Sequence, residues 1–266
     1  MPEFINDGIK IYYEIEGTGP PVLLIHGFAS SMELNWKQRG WIEALKDSYQ
    51  IILIDLRGHG KSDKPHENSY YGQKVSDDVI KLMEHLSIEK ANLFGYSMGA
   101  YITYRLVLTK PEFIISAILG GFVLNLMHNE KERSNYRERS KRNIEAFKAE
   151  SIEDIKDPRA RAFREYAELR HNDLLAMAAV SSGSLKERSE TMGSPSQIEE
   201  SLKQIKLPIM TVVGSNETLP GDKTLIAQLV PDACHFQIQG KDHLTVVSDP
   251  KFHMVVKAFL NYVNKI

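Results

Sequence analysis

The sequence predicts an α/β protein with a largely parallel sheet and helices on both of its faces. Short apolar runs recur along the 266 residues, and most are continuous rather than alternating. Segments with the apolar spacing of a helix separate these runs. A continuous apolar run suits a strand that is covered on both faces, and strands that alternate with helices predict a parallel sheet. This length suits one large domain, or one domain with an insertion.

The elements follow in chain order. A β-rich run at 9–15 ends at the turn signal 17–21, and we expect the first strands to form an antiparallel edge. Val79, Leu82 and Met83 lie on one face of a predicted helix, and 252–263 carries the last apolar stripe. The other predicted strands are 22–25, 51–54, 91–94, 114–119, 209–213 and 234–238.

One stretch, 129–173, interrupts the alternation. Its basic and acidic residues are nearly balanced and its apolar stripe is narrow, which predicts solvated helices rather than a nucleic-acid surface. A Gly/Ser-rich segment, 181–196, follows it. We therefore expect residues 122–196 to form a helical cap over the C-terminal edge of the sheet. Residues 1–121 and 197–266 would form the core.

Composition excludes several classes of function. The apolar fraction of 42% and charged fraction of 26% are ordinary for a soluble globular protein, and a net charge of −2 argues against a nucleic-acid partner. A single cysteine, Cys234, excludes an intramolecular disulfide and a thiolate metal cluster. No signal peptide is visible and no apolar run approaches the ~20 residues that span a bilayer. We expect a cytoplasmic protein without a membrane partner; its oligomeric state stays open.

The sharpest motif is Gly95-Tyr96-Ser97-Met98-Gly99, between a predicted strand and a predicted helix. An abrupt turn from strand to helix brings the two elements almost into collision, so the flanking positions must be small. The serine hydroxyl then faces the cleft at the strand end, near the positive end of the helix. The motif predicts that Ser97 is a nucleophile.

A serine hydroxyl is a weak nucleophile and requires a base. Among nine histidines, His243 follows the last predicted strand, at the sheet edge where Ser97 lies. The imidazole in turn requires an acid. Glu217 follows the strand 209–213 and is the preferred candidate. Asp222 and a group in the region after 119–121 stay open as alternatives.

The chain order Ser97, Glu217, His243 resembles that of the α/β-hydrolase superfamily, in its serine esterase and C–C hydrolase branch. Residues 24–28 resemble the His-Gly oxyanion loop of that family, and 55–62 resembles its Asp-x-Arg-Gly-x-Gly-x-Ser block. The resemblance runs from about Ile9 to Tyr262, except for the insertion. One departure is that the acid of the family is usually aspartate.

The resemblance implies the α/β-hydrolase fold, with a mostly parallel eight-stranded sheet and a helical cap inserted after the sixth strand. It also implies that the backbone amides of Phe28 and Met98 form an oxyanion hole. Trp36, Tyr96 and Phe122 are candidates for lining the substrate pocket, although core packing explains them equally well. Neither a metal site nor a cofactor is indicated.

These residues predict a serine hydrolase that cleaves carboxylic esters of small to medium size through an acyl-enzyme intermediate. The same three groups could instead cleave carbon–carbon bonds of vinylogous diketones. A hydrolase-like receptor for a small molecule is a third hypothesis. Dehalogenases and epoxide hydrolases of this fold carry a carboxylate at the nucleophile position, so Ser97 argues against both.

Overall fold

The sheet contains eight strands in the order β1-β2-β4-β3-β5-β6-β7-β8. The computed structural model describes residues 2–191 and 193–265. The strands are β1 (Glu3–Asn6), β2 (Ile9–Glu16), β3 (Pro21–Ile25), β4 (Gln50–Ile54), β5 (Ala91–Tyr96), β6 (Ile114–Gly120), β7 (Ile209–Gly214) and β8 (Cys234–Ile238). β1 pairs antiparallel with β2, and β2 with β4, whereas the pairs from β4 to β8 are parallel. The predicted fold class and its antiparallel edge are confirmed.

Helices cover the two faces of this sheet. They are α1 (Met32–Asn35), α2 (Trp41–Leu45), α3 (Gln73–His85), α4 (Met98–Thr109), α5 (Glu130–Lys148), α6 (Pro158–Glu168), α7 (Leu174–Thr191), α8 (Pro195–Lys203), α9 (Leu225–Leu229) and α10 (Pro250–Asn264). None of the described helices is both long and apolar enough to cross a bilayer.

Each continuous apolar strand packs against helices on both faces of the sheet, because successive side chains of a strand point to opposite sides. Leu23 and Ile25 of β3 pack into the core cluster that contains α3 and α4. Val22 and Leu24 of the same strand pack into the other cluster, with α2 and α10. This two-sided burial holds the strand ends in fixed positions, and the candidate site lies at those ends.

Helices α5, α6 and α7 lie between β6 and β7, within the predicted insertion. The expected boundary at 196/197 is wrong in detail, because it falls inside α8, whose Leu202 is fully buried in the main core. The first part of the Gly/Ser-rich segment, 181–191, continues α7. A Cβ added at Gly183 would lie 2.6 Å from the Tyr71 side chain, so the absence of a side chain lets α7 approach the core.

Candidate active site

The turn between β5 and α4 holds Ser97 in a strained conformation, with φ 54° and ψ −110°. The two glycines of the motif are required by close contacts. A Cβ at Gly95 would lie 2.1 Å from the carbonyl oxygen of Gly99, and one at Gly99 would lie 2.0 Å from that of Ile25. Side chains at either position would push the strand and helix apart. The local sequence therefore dictates where the Ser97 hydroxyl points.

Three side chains from separate strand ends meet at this turn. Ser97 Oγ lies 2.9 Å from His243 Nε2, and His243 Nδ1 lies 2.6 Å from Glu217 Oε2. These residues follow β5, β8 and β7 respectively, and parallel strands bring their C-terminal ends to one edge of the sheet. The alternative acid lies elsewhere, since Asp222 accepts a hydrogen bond of 2.7 Å from the amide of Thr224.

The environment of Glu217 keeps its carboxylate ionised. Burial by itself would raise the pKa of Glu217, but the hydrogen bond and charge of His243 lower it below its ordinary value. The amides of Thr218 and Leu219 add to this effect by donating to Oε1 at 2.9 and 3.0 Å. The carboxylate is thus held from both sides and directs one oxygen at the imidazole. The sequence carries no clear signal for these two amide contacts.

Tyr96 does more than line the pocket. Its hydroxyl donates to the backbone carbonyl of His243 at 2.5 Å, and burial raises the pKa of the phenol well above its ordinary value, so it stays a donor. The Tyr96 ring thereby links β5 to the loop that carries the imidazole. This link is a positioning contact that the motif alone does not reveal, because the two residues are 147 positions apart.

Phe28 and Met98, whose backbone amides are the predicted oxyanion donors, both line a cavity that Ser97 also lines. Met98 is the first residue of α4, where a backbone N–H has no partner within the helix. Within the described residues, neither of these amides donates a hydrogen bond. The neighbouring amides are occupied, because Gly27 donates to Asn35 Oδ1 at 3.1 Å and Ala29 donates to His59 Nε2 at 3.2 Å. Two unused donors beside the hydroxyl are what an oxyanion would require.

Two buried histidines support the loop that carries Phe28. His26 and His59 each accept an amide N–H at Nε2, which leaves Nδ1 to donate to a backbone carbonyl. Burial, and then the neighbouring His26, lower the pKa of His59 to about 3. Burial likewise lowers the pKa of His26. Both rings are therefore neutral near pH 7 and act as rigid hydrogen-bonding spacers.

Two cavities meet at Ser97. The larger, of about 880 Å³, is bounded by His243 and Tyr96, and the smaller, of about 310 Å³, by Met98 and Phe122. Trp36 lines neither cavity. It is fully buried in an aromatic cluster, with its ring centroid 4.7 Å from that of Phe94. The pocket prediction for Trp36 is wrong because an aromatic residue near a loop can equally complete the core.

Across residues 2–191 and 193–265, no three histidine, cysteine, aspartate or glutamate side chains converge in a way that could hold a metal ion. Cys234 lies half-buried on β8, and its Sγ contacts the carbonyl oxygen of Ile209 at 3.7 Å.

The fold and this edge of the sheet define an α/β protein with a serine at a strand–turn–helix junction. A family model described as the alpha/beta hydrolase fold matches residues 20–200. The chain therefore belongs to the α/β-hydrolase family, and the predicted resemblance is confirmed.

Individual relatives agree with this assignment. The chain is 37% identical over 118 residues to the uncharacterized hydrolase YugF of Bacillus subtilis, which is 44% of this chain and 42% of YugF. It is 37% identical over 111 residues to epoxide hydrolase 3 of Siraitia grosvenorii, which is 41% of this chain and 34% of that protein. These matches span less than half of each relative. A thermophilic esterase from Thermogutta terrifontis shares the fold, with a TM-score of 0.76 at 22% identity over 98% of this chain and 97% of the esterase.

Proposed function

We propose that the protein is a serine hydrolase that cleaves carboxylic esters through an acyl-enzyme intermediate. The observation that carries this proposal is the chain of contacts from the Ser97 hydroxyl through His243 to Glu217, at 2.9 and 2.6 Å. A hydroxyl, an imidazole and an ionised carboxylate in this order are the parts of a catalytic triad.

The reaction would proceed in two halves. Ser97 Oγ attacks the acyl carbon while His243 Nε2 takes its proton, and Glu217 stabilises the imidazolium. The amides of Phe28 and Met98 donate to the oxyanion, each contributing roughly 3 kcal/mol to transition-state stabilisation. His243 then gives the proton to the departing alcohol. Water, activated by the same imidazole, attacks the acyl-enzyme and releases the acid.

The inserted helices α5, α6 and α7 would act as a cap that selects substrates. Phe163 of α6 bounds both cavities and stacks on Phe28, with ring centroids 5.0 Å apart. A cap residue thus contacts the side chain of a proposed oxyanion donor. This contact supports a role for the inserted helices in closing the site from water.

Ester cleavage is favoured over epoxide opening, even though one relative is an epoxide hydrolase. Epoxide opening in this fold would require a carboxylate nucleophile, and the turn carries Ser97 instead. Carbon–carbon cleavage of vinylogous diketones would use the same three residues. Comparing the turnover of a panel of phenyl esters with the turnover of such diketones distinguishes these two reactions.

Labelling with a fluorophosphonate, followed by mass mapping of the adduct, tests activation of the serine. We expect one adduct, on Ser97, and a fall in kcat of about 10⁶-fold in Ser97→Ala. Ser196→Ala, an exposed position on α8, is the matched control and should label normally. Retained turnover in Ser97→Ala would refute the proposal. Release of one product per chain with no further turnover would favour the receptor hypothesis.

A further inference from the structure

The two cavities at Ser97 differ in their relation to His243. Only the larger one is bounded by this imidazole. In the proposed hydrolase function, on which this step rests, His243 gives its proton to the leaving oxygen, so the leaving alcohol lies in the larger cavity. The acyl group that stays on Ser97 then occupies the smaller cavity of about 310 Å³, beside Met98.

The charged side chains that line this smaller cavity are both arginines, Arg139 and Arg188. Arg188, on α7, lies between two tyrosine rings that come from α4 and α5. Its guanidinium carbon is 4.7 Å from the ring centroid of Tyr101 and 4.8 Å from that of Tyr136. Nη1 also donates to the Tyr136 hydroxyl at 3.3 Å. These contacts hold the guanidinium plane in one orientation.

Arg188 has a charged neighbour but no ion pair among the described residues: burial raises the pKa of Glu187, and the charges of Arg105 and Arg188 partly oppose that rise. Within the described residues no carboxylate oxygen lies within 4 Å of its guanidinium, and its buried Nε has no hydrogen-bond partner. Neighbouring arginines differ. Arg105 lies 3.3 Å from a Glu187 carboxylate oxygen, and Arg137 is paired with Glu130. A partly buried, unpaired guanidinium is unfavourable, and cation–π contacts offset only part of the desolvation.

The larger cavity also has arginines, but they are engaged with the backbone. Arg39 Nε donates to the carbonyl oxygen of Leu34 at 3.3 Å, and Arg170 donates to that of Tyr166 at 3.2 Å. Arg39 and Arg170 also make no ion pair among the described residues, but the buried nitrogen without a partner, Arg188 Nε, lies on the acyl side of Ser97. The terminal nitrogens of Arg188 remain able to donate to the oxygens of a carboxylate.

We propose that the smaller cavity binds an acyl group that carries its own carboxylate, recognised by Arg188. The substrate class is then monoesters of short dicarboxylic acids with an uncharged alcohol. Arg139, whose guanidinium carbon lies 5.8 Å from the centroid of the Tyr136 ring, adds a second positive charge to the same cavity. Arg188 contributes specificity and takes no part in bond breaking.

Three esters of nearly equal size test this assignment. Monophenyl glutarate places a carboxylate at the end of the acyl chain, phenyl valerate has a methyl group there, and the valerate ester of 4-hydroxybenzoate places the charge on the alcohol. We expect kcat/KM for the glutarate ester to exceed that for phenyl valerate by about 10- to 100-fold, as for a charge-assisted hydrogen bond.

In Arg188→Gln the ratio of the two kcat/KM values should fall at least about tenfold, and Arg188→Lys should retain part of it. Arg137→Gln, which removes an arginine paired with Glu130, is the matched control and should leave the ratio unchanged. Hydrolysis of phenyl valerate at the same rate as the glutarate ester, or a preference for the hydroxybenzoate ester, would overturn the inference and leave the hydrolase proposal standing.

If no ester is turned over, the hydrolase proposal fails, and calorimetry decides the carboxylate site separately. Glutarate is titrated into the wild-type protein and into Arg188→Gln. Binding by the wild-type protein that the variant loses supports the site, and equal binding or no binding overturns it. If Arg188→Gln does not fold, two measurements on the wild-type protein test the carboxylate site. They are the ratio of kcat/KM for the glutarate ester to that for phenyl valerate, and the titration with glutarate.

Discussion

The sheet and the helices inserted after β6 are stabilised by different interactions. In the sheet region, the Arg57–Asp78 ion pair has two N···O distances of 2.6 Å, and both of its side chains are fully buried. In the inserted helices, the Arg142–Asp157 pair at 3.1 Å is open to solvent. The apolar cluster that belongs to α5 and α6 alone is small, with Ala146, Ile155 and Ala160 at its centre.

In the proposed function, the groups that react lie at the edge of the sheet, and the groups that select the substrate lie on the inserted helices. Ser97, Glu217 and His243 all follow strands of the rigid sheet, whereas Phe163 and Arg188 belong to the inserted helices. Reacting groups require fixed geometry, which strands buried on both faces supply. In the proposed function, side chains of the inserted helices that contact substrate can change with little effect on the reaction centre. Three substitutions test this division.

The largest effect is expected for Glu217→Gln. An amide has no negative charge to stabilise the imidazolium and can present the wrong group to His243 Nδ1, so kcat should fall about 10⁴-fold in steady-state ester hydrolysis. The control is Asp222→Asn, whose carboxylate caps the turn before α9 and should change kcat by less than about twofold. A larger loss in Asp222→Asn than in Glu217→Gln would reverse the two roles.

A smaller effect, on stability, compares the two kinds of ion pair. Asp78→Asn leaves the buried Arg57 guanidinium without its charge partner, so the free energy of unfolding should fall by about 3–5 kcal/mol. Arg142→Gln, in the inserted helices, should change it by less than about 1 kcal/mol. Urea unfolding followed by circular dichroism measures both. Equal losses would show that the two regions are not distinct in this way.

The smallest effect concerns pH. The pKa of His59 is about 3 in the folded protein, below the ordinary value of about 6.5 in the unfolded chain. As the pH falls from 6.5 towards 3, the unfolded chain binds a proton that the folded protein does not, so His59 lowers the unfolding free energy by about 1.4 kcal/mol per pH unit. His26, whose pKa is also lowered, acts in the same direction.

His59→Gln removes this contribution and keeps an acceptor for the amide of Ala29. The variant should be less stable than the wild-type protein at pH 7, and the gap should narrow by about 1.4 kcal/mol per unit below pH 6.5. Urea unfolding at several pH values from 7 to 4.5 measures the gap. A gap that stays constant over this range would contradict a neutral, buried His59.

Much of the site could be predicted because its signals are local. The turn at Ser97 depends on glycines two positions away, and the strands depend on runs of four to eight residues. No local sequence signal distinguishes Glu217 from Asp222, since both follow β7. The path of the 214–222 loop favours Glu217, because it brings this carboxylate to His243 and the amides of Thr218 and Leu219 to the same side chain.

The sequence by itself determined the α/β class and the strand–turn–helix position of Ser97, and it predicted the chain order Ser97, Glu217, His243, because short-range spacing and backbone geometry encode these features. Only the tertiary structure decided that Trp36 completes the core and that Arg188 lines a cavity at Ser97, between Tyr101 and Tyr136. These outcomes depend on how α4, α5 and α7 pack against one another. Packing between distant elements is set by the shapes of many side chains together, so no single motif records it.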